Sequence, residues 1–122
     1  AIVADGCIII DAVLERSVIG VRSMIHEGSR LKNVVMMGQD QYESPEAETS
    51  AKARGLPPIG IGKSCFIENA ILDKNARIGD DVSLSPAGLP DDFEQGDVAV
   101  RDGVLIVTKN GVVPSGSRIG NA

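Results

Sequence analysis

A six-residue spacing of large aliphatic side chains constrains the fold of this chain more than any other feature. The spacing occurs in three stretches, at Ile19, Ile25, Leu31 and Met37, at Leu72, Ile78 and Leu84, and at Val107, Val113 and Ile119. It fits neither the 3.6-residue turn of an α-helix nor the two-residue alternation of an exposed strand, but it is typical of the hexapeptide repeat of a parallel β-helix. Each hexapeptide would form one short strand and one corner, and three such sides would form one coil of a triangular prism.

Small residues four positions after the aliphatic side chain support this fold, because a corner inside a narrow prism has little room. Examples are Ser17, Ser23, Ser29, Cys65 and Ala76, whereas Ile71 after Ile67 is an exception. Glycine often follows the aliphatic residue directly, at positions 20, 38, 62, 79 and 120. We expect these glycines to supply positive φ angles where the coil needs them.

Composition agrees with a thin prism, since 43% of the residues are hydrophobic but only 2% are aromatic. The length allows about five 18-residue coils plus insertions in one domain. A β-sandwich is the alternative, but its strands would recur every 8–12 residues between hairpin turns. The predicted fold class is therefore all-β, a left-handed parallel β-helix that spans residues 1–122 as a single domain.

Two segments interrupt the spacing and are predicted to leave the coil as loop insertions, residues 39–58 and 85–97. In the first, Ser44 is a predicted N-cap and Pro45 the first residue of a short helix, with Gly55 as its C-cap. The second carries prolines, glycines and an acidic run, and is predicted to be irregular.

Charge and hydropathy exclude several functions. The formal net charge is −5, so a nucleic-acid interface is not expected. No apolar run is long enough for a membrane span and no secretory signal is recognisable, which predicts a cytoplasmic or stromal location and no membrane partner. Cys7 and Cys65 lie within the repeat, where buried thiols are favoured over a disulfide.

Few catalytic chemistries fit these residues. A zinc site of the kind found in β-helix hydratases needs about three His ligands, and the chain has His26 alone. One His as general base keeps a hexapeptide-type acyltransferase open, although a turn histidine is the favoured interpretation of His26. No phosphate-binding Gly-rich loop precedes a helix, so no nucleotide site, catalytic residue, metal or cofactor is predicted within this chain.

Cationic side chains are the remaining candidates for binding. Lys63, Lys74, Arg77 and Lys109 lie in or beside the repeat. Aligning Ile78-Gly79 with Ile19-Gly20 places Lys74 opposite Glu15, so the scaffold itself does not require a cation there. Two lysines from stacked coils could form a phosphate site through charge-assisted hydrogen bonds.

Three strings carry a family resemblance, namely SVIGVRSMIHEGSRLKNVVMMGQDQYE, LPPIGIGKSCFIENAILDKNARIGDD and VTKNGVVPSG. In order and spacing they closely resemble the C-terminal β-helix domain of plant and cyanobacterial glucose-1-phosphate adenylyltransferase (ADP-glucose pyrophosphorylase). The resemblance implies a domain of a larger nucleotidyltransferase that makes ADP-glucose and pyrophosphate from ATP and glucose 1-phosphate for starch or glycogen synthesis. It also implies that an N-terminal catalytic domain using Mg²⁺ and ATP is absent from this chain, which begins with Ala1.

The resemblance further implies allosteric regulation and assembly into a homo- or heterotetramer. Lys74 and Lys109 match the two family lysines that bind the phosphate of the effector, 3-phosphoglycerate or inorganic phosphate, and Arg77 is a further candidate. Thr108, Asn110 and Gly111 depart from the family pattern around the second lysine. A purely structural oligomerisation module is the alternative, with Val34, Val35 and Met36 beside a core-facing Met37 as the apolar face that would meet another subunit.

Overall fold

The computed structural model describes residues 1–120, which form short strands and one helix. In chain order these are β1 (Ile2–Val3), β2 (Ile8–Ile9), β3 (Val13–Glu15), β4 (Val18–Ile19), β5 (Met24–Ile25), β6 (Arg30–Met36), α1 (Pro45–Ala53), β7 (Gly60–Ile61), β8 (Phe66–Leu72), β9 (Arg77–Ile78), β10 (Ser83–Leu84), β11 (Glu94–Gln95), β12 (Val98–Arg101), β13 (Val104–Val107), β14 (Val112–Val113) and β15 (Arg118–Ile119). The described part of the chain contains no helix long and apolar enough to cross a membrane.

Successive coils stack their strands in parallel, which confirms the predicted parallel β-helix. In one sheet β4, β6 and β8 lie side by side, with Val18 opposite Val35 and Val35 opposite Ile71. The other sheet runs β2, β5, β7, β9 and β14, all parallel neighbours. Each parallel ladder joins one turn of the chain to the next, whereas β12 pairs antiparallel with its neighbours β11 and β13.

The coil is shorter than predicted. Neighbouring strands are offset by 17 residues at Val18–Val35, and by the same number at Gly60–Arg77. In the coil from Ile19 to Met36 two sides take six residues and the side that follows Leu31 takes five, so Met36 enters the core and Met37 does not. The first coil is shorter still, since Ile2 pairs with Val18, 16 residues later. Met36 is 6% exposed and Met37 is 43% exposed. The assignment of Met37 to the core was therefore wrong by one residue.

The same five-residue side corrects the predicted apolar face. Val34 is fully buried and Met36 nearly so, while Val35 and Met37 are exposed. A face made of Val34, Val35 and Met36 does not exist, because alternate residues of β6 point to opposite sides of the sheet. Only Val35 of that trio is available to a partner.

The core is one column of aliphatic side chains inside the prism. Fully or almost fully buried members are Ile19, Ile25, Leu31, Ile61, Ile67, Leu72, Ile78, Leu84, Leu105, Val107 and Val113. Small residues fill the corners as predicted, and Ser17, Ser23, Ser29 and Cys65 are all buried. The exception at Ile71 is explained by the five-residue side, where Ala70 turns inward instead and Ile71 faces out.

Two of the five glycines that follow an aliphatic residue have the predicted positive φ, and three serve a different purpose. Gly38 and Gly120 do have positive φ, but Gly20, Gly62 and Gly79 do not. At Gly20 a Cβ atom would lie 2.5 Å from the carbonyl carbon of Met37 on the next coil. These three glycines are needed because the next coil passes too close for a side chain.

The first insertion forms an arm that contains α1, and its predicted N-cap, Ser44, is confirmed. The Ser44 side chain accepts a hydrogen bond from the Ala47 amide, and Pro45 is the first helical residue. The C-cap is Arg54, so the prediction of Gly55 was wrong by one residue, and Gly55 follows with φ +77°.

The second departure from the coil includes an antiparallel pair, β11 with β12, which the sequence did not indicate. Leu89 and Phe93 of this segment pack against the core.

Candidate anion site

Lys74 and Lys109 occupy equivalent positions on consecutive coils. Leu72 pairs with Val107 before this corner and Arg77 pairs with Val112 after it, so the offset is the same on both sides. The Asn110 amide donates to the carbonyl oxygen of Lys74 at 2.9 Å. Adjacent parallel strands lie about 4.8 Å apart, so the two lysine side chains leave the corner as neighbours.

This stacking corrects the alignment of Lys74 with Glu15. Leu72 pairs with Met36, which places Lys74 opposite Gly38, whereas Glu15 pairs with Lys32 on another side of the coil. The spacing of the aliphatic residues could not distinguish the three sides. At its true position Lys74 lies between Gly38 on the preceding coil and Lys109 on the following coil.

Asp40, from the start of the arm, lies against this lysine pair. Its Oδ1 atom is 3.4 Å from the Lys74 ammonium, and its Oδ2 atom accepts a hydrogen bond from the Asn75 side chain at 3.2 Å. The Asp40 amide in turn donates to Asn75 Oδ1 at 3.1 Å. The carboxylate is thus held in a defined position beside Lys74.

Electrostatics link Lys109 to the same carboxylate. The hydrogen bond from Asn75, then the hydrogen bond and charge of Lys74, hold the pKa of Asp40 below its ordinary value, and the charge of Lys109 acts in the same direction. Within residues 1–120 no carboxylate lies within ion-pair distance of Lys109. Lys74, Lys109 and Asp40 are all exposed to solvent. Two further carboxylates lie at this corner, because Asp73 Oδ1 accepts a hydrogen bond from the Lys74 amide and Asp97 Oδ2 accepts one from the Val112 amide.

Arg77, the further candidate, is engaged elsewhere. Its Nη2 atom lies 2.6 Å from Glu43 Oε2, and its Nη1 atom donates to the carbonyl oxygen of Pro57 at 2.9 Å. Both partners belong to the arm, so Arg77 fastens the arm to the coil. The part of Arg77 in anion binding stays a prediction, and the site formed by Lys74 and Lys109 does not depend on it.

An open groove of about 570 Å³ adjoins the lysine corner and is lined by Asp40, Asn75 and Asn110 on the corner side. Arg54, at the end of α1, lines the same groove from the arm. Arg54 was not among the predicted binding residues, because only the folded arm brings it into the groove beside the corner. The sequence signal that could have indicated Arg54 is a basic residue at the end of the predicted helix.

Comparison with known proteins agrees with the β-helix fold. Residues 1–117 match the family described as the GLGC left-handed parallel beta-helix domain. The chain belongs to this family. The match establishes the left-handed form of the β-helix, and it confirms the resemblance to glucose-1-phosphate adenylyltransferases that the sequence strings indicated.

Two relatives of this GLGC-family domain come from Zea mays. One is glucose-1-phosphate adenylyltransferase large subunit 1, chloroplastic/amyloplastic, which is 38% identical over 121 residues and matches 98% of this chain. The other is a glucose-1-phosphate adenylyltransferase small subunit, also 38% identical, with 98% of each chain covered. The chain spans 23% of the large subunit's length.

The remaining chemical candidates in the GLGC-family domain are isolated from one another. His26 is half-buried, and its Nδ1 atom lies 2.8 Å from the carbonyl oxygen of Ile61. Among residues 1–120 no three His, Cys, Asp or Glu side chains gather as a metal site would require. Cys7 and Cys65 are free thiols, Cys65 buried and Cys7 half-buried. Lys74 and Lys109 stay the predicted anion-binding residues.

Proposed function

We propose that this chain is the allosteric-regulation and subunit-assembly domain of a glucose-1-phosphate adenylyltransferase. The complete enzyme would make ADP-glucose and pyrophosphate from ATP and glucose 1-phosphate, in support of starch or glycogen synthesis. The family match and the names of both relatives support this proposal. The chain spans 23% of the large-subunit relative, which leaves ample length there for a separate catalytic domain.

Catalysis, in this proposal, takes place on that separate nucleotidyltransferase domain, which would also bind ATP and Mg²⁺. The chloroplastic or amyloplastic relative favours a plastid stroma as location, with a bacterial cytoplasm as the other option.

For the regulatory role we assign the phosphate group of an effector, 3-phosphoglycerate or inorganic phosphate, to Lys74 and Lys109. The observation that carries this assignment is the placement of both lysines at the same corner of consecutive coils. Two ammonium groups on neighbouring strands can each donate to a different oxygen of one phosphate, and such charge-assisted hydrogen bonds are about twice as strong as neutral ones.

Binding at this corner alone would not change the rate of a distant reaction. The effector must bind one arrangement of the domains more tightly than another. We propose that residues of the catalytic domain complete the site, so that the bound phosphate favours one angle between the two domains.

The test is the activation of the complete enzyme by 3-phosphoglycerate after Lys74→Ala and after Lys109→Ala. We expect each change to raise the effector concentration for half-maximal activation by about ten-fold or more, the worth of one hydrogen bond to a charged group, while the rate without effector persists. Lys63→Ala is the matched control, because Lys63 also pairs with a carboxylate at 3.4 Å, Glu27, but lies at another corner. Activation that is unchanged in both test variants would refute the assignment.

A second role, assembly, is favoured by an apolar ladder on the outer surface. Val18, Val35 and Ile71 lie opposite one another on β4, β6 and β8, and they are 43%, 39% and 36% exposed. Both relatives are named as subunits, one large and one small. We propose that this ladder packs against another subunit of the enzyme.

A further inference from the structure

Asp40 of the arm places a negative charge beside Lys74, where it opposes the binding of an anion. Asp40 Oδ1 lies 3.4 Å from the Lys74 ammonium, and Asn75 binds both the side chain and the amide of Asp40. We propose that the Asp40 carboxylate is a built-in competitor, which occupies Lys74 in the absence of effector and is displaced when a phosphate binds. This inference rests on the proposed assignment of Lys74 and Lys109 to a phosphate.

Asp40 is not required to hold the arm in place. The buried pair between Glu43 and Arg77 does so, together with a hydrogen bond from the Tyr42 hydroxyl to the carbonyl oxygen of Gly6. The Asp40 pair, in contrast, is exposed to solvent. An exposed ion pair is weak and therefore easy to exchange for another. Asp40 can thus leave Lys74 while the arm stays attached.

The larger charge of phosphate favours it over the Asp40 carboxylate as the partner of Lys74. Asp40 offers one negative charge to Lys74 and reaches Lys109 only through longer-range attraction. A phosphate group carries close to two negative charges at neutral pH and three acceptor oxygens, enough for both ammonium groups. The incoming anion would therefore bind both lysines, and Asp40 would return to water.

The tether keeps Asp40 from diffusing away after displacement. Gly38, two residues earlier, accepts a hydrogen bond from the Asn75 amide, and Glu43, three residues later, is fixed by Arg77. A competitor attached on both sides has a high effective concentration at the site. Asp40 would therefore set the effector concentration at which the site responds.

The experiment is a calorimetric titration of the complete enzyme with inorganic phosphate, comparing wild type with Asp40→Asn. Asparagine keeps the shape and can keep the hydrogen bond to Asn75, but it removes the competing charge. We expect phosphate to bind about two- to five-fold more tightly, the usual worth of an exposed ion pair. Asp11→Asn is the control for net charge, because Asp11 is also exposed but lies at the corner that Gly28 and Lys63 share.

Lys74→Ala and Lys109→Ala are titrated in parallel to separate two kinds of failure. If these variants lose phosphate binding while Asp40→Asn binds no more tightly than wild type, the competitor role is wrong and the anion site stands. If both lysine variants bind phosphate like wild type, the anion site itself is wrong, and the role of Asp40 with it. An equal gain in phosphate affinity in Asp40→Asn and Asp11→Asn would also overturn the inference, because the gain would then come from the change in net charge alone.

Discussion

Arg77 and Glu43 form an ion pair that joins the helical arm to the coil, with Nη2 2.6 Å from Oε2 and the two side chains only 16% and 7% exposed. Removing one partner of a buried pair leaves the other charge without compensation. We expect Glu43→Gln to lower the free energy of unfolding by about 3 kcal/mol, measured by urea denaturation.

The chain offers a matched control for this prediction. Arg101 and Glu94 lie equally close, at 2.7 Å, but are 46% and 70% exposed. An exposed pair contributes about 1 kcal/mol or less, so Glu94→Gln should have a small effect. Similar losses of unfolding free energy in both variants would mean that burial does not strengthen the Arg77–Glu43 pair.

Close approach between coils gives a second prediction, for Gly20. Its φ is not positive, but a Cβ atom would lie 2.5 Å from the carbonyl carbon and oxygen of Met37. We expect Gly20→Ala to lower the free energy of unfolding by about 3 kcal/mol, through displacement of the neighbouring coil. Gly103→Ala should cost about 1 kcal/mol, because Gly103 has φ +76° but open space around it. Thermal unfolding of both variants tests this order, and a larger loss at Gly103 would contradict it.

The sequence predicted the parts of the fold that depend on local spacing. Ile19, Ile25 and Leu31 are buried as the six-residue repeat required, and α1 begins after the predicted N-cap Ser44. Met37 was misplaced because an aliphatic spacing does not reveal that one side of the coil is a residue shorter. The alignment of Lys74 was wrong because the spacing does not show which side of the coil a residue occupies, and Ile19 and Ile78 lie on different sides.

The candidate site was predictable only in part. Lys74 and Lys109 were selected by resemblance, but their stacking depends on the lengths of the intervening sides and of the second insertion. Asp40 could not be found, since it lies 34 residues from Lys74 along the chain and reaches it only because the arm folds back. Contacts between an insertion and a coil leave no periodic trace in the sequence.

Burial of Cys65 predicts a loss of stability at alkaline pH. Burial raises the pKa of the Cys65 thiol above its ordinary value of 9.0. A group with a raised folded-state pKa favours folding fully below the unfolded pKa, and this contribution is lost as pH rises through the folded pKa. Urea denaturation at about pH 7 and about pH 10 should therefore show a smaller loss for Cys65→Ser than for wild type. Parallel losses in the two proteins would show that this thiol does not affect alkaline unfolding.

The apolar ladder predicts how the oligomer can be dispersed. A lysine at position 35 would place a charge at the centre of the row formed by Val18, Val35 and Ile71. If another subunit covers this row, the unpaired charge should cost the interface about 2–5 kcal/mol, so that the complete enzyme elutes as smaller species in sizing chromatography with light scattering. Val13→Lys is the matched control, because Val13 is also exposed on β3 but pairs with Arg30, outside the ladder. An unchanged mass for Val35→Lys would exclude the ladder as the assembly surface, and an equal loss of mass in both variants would point to added charge in general.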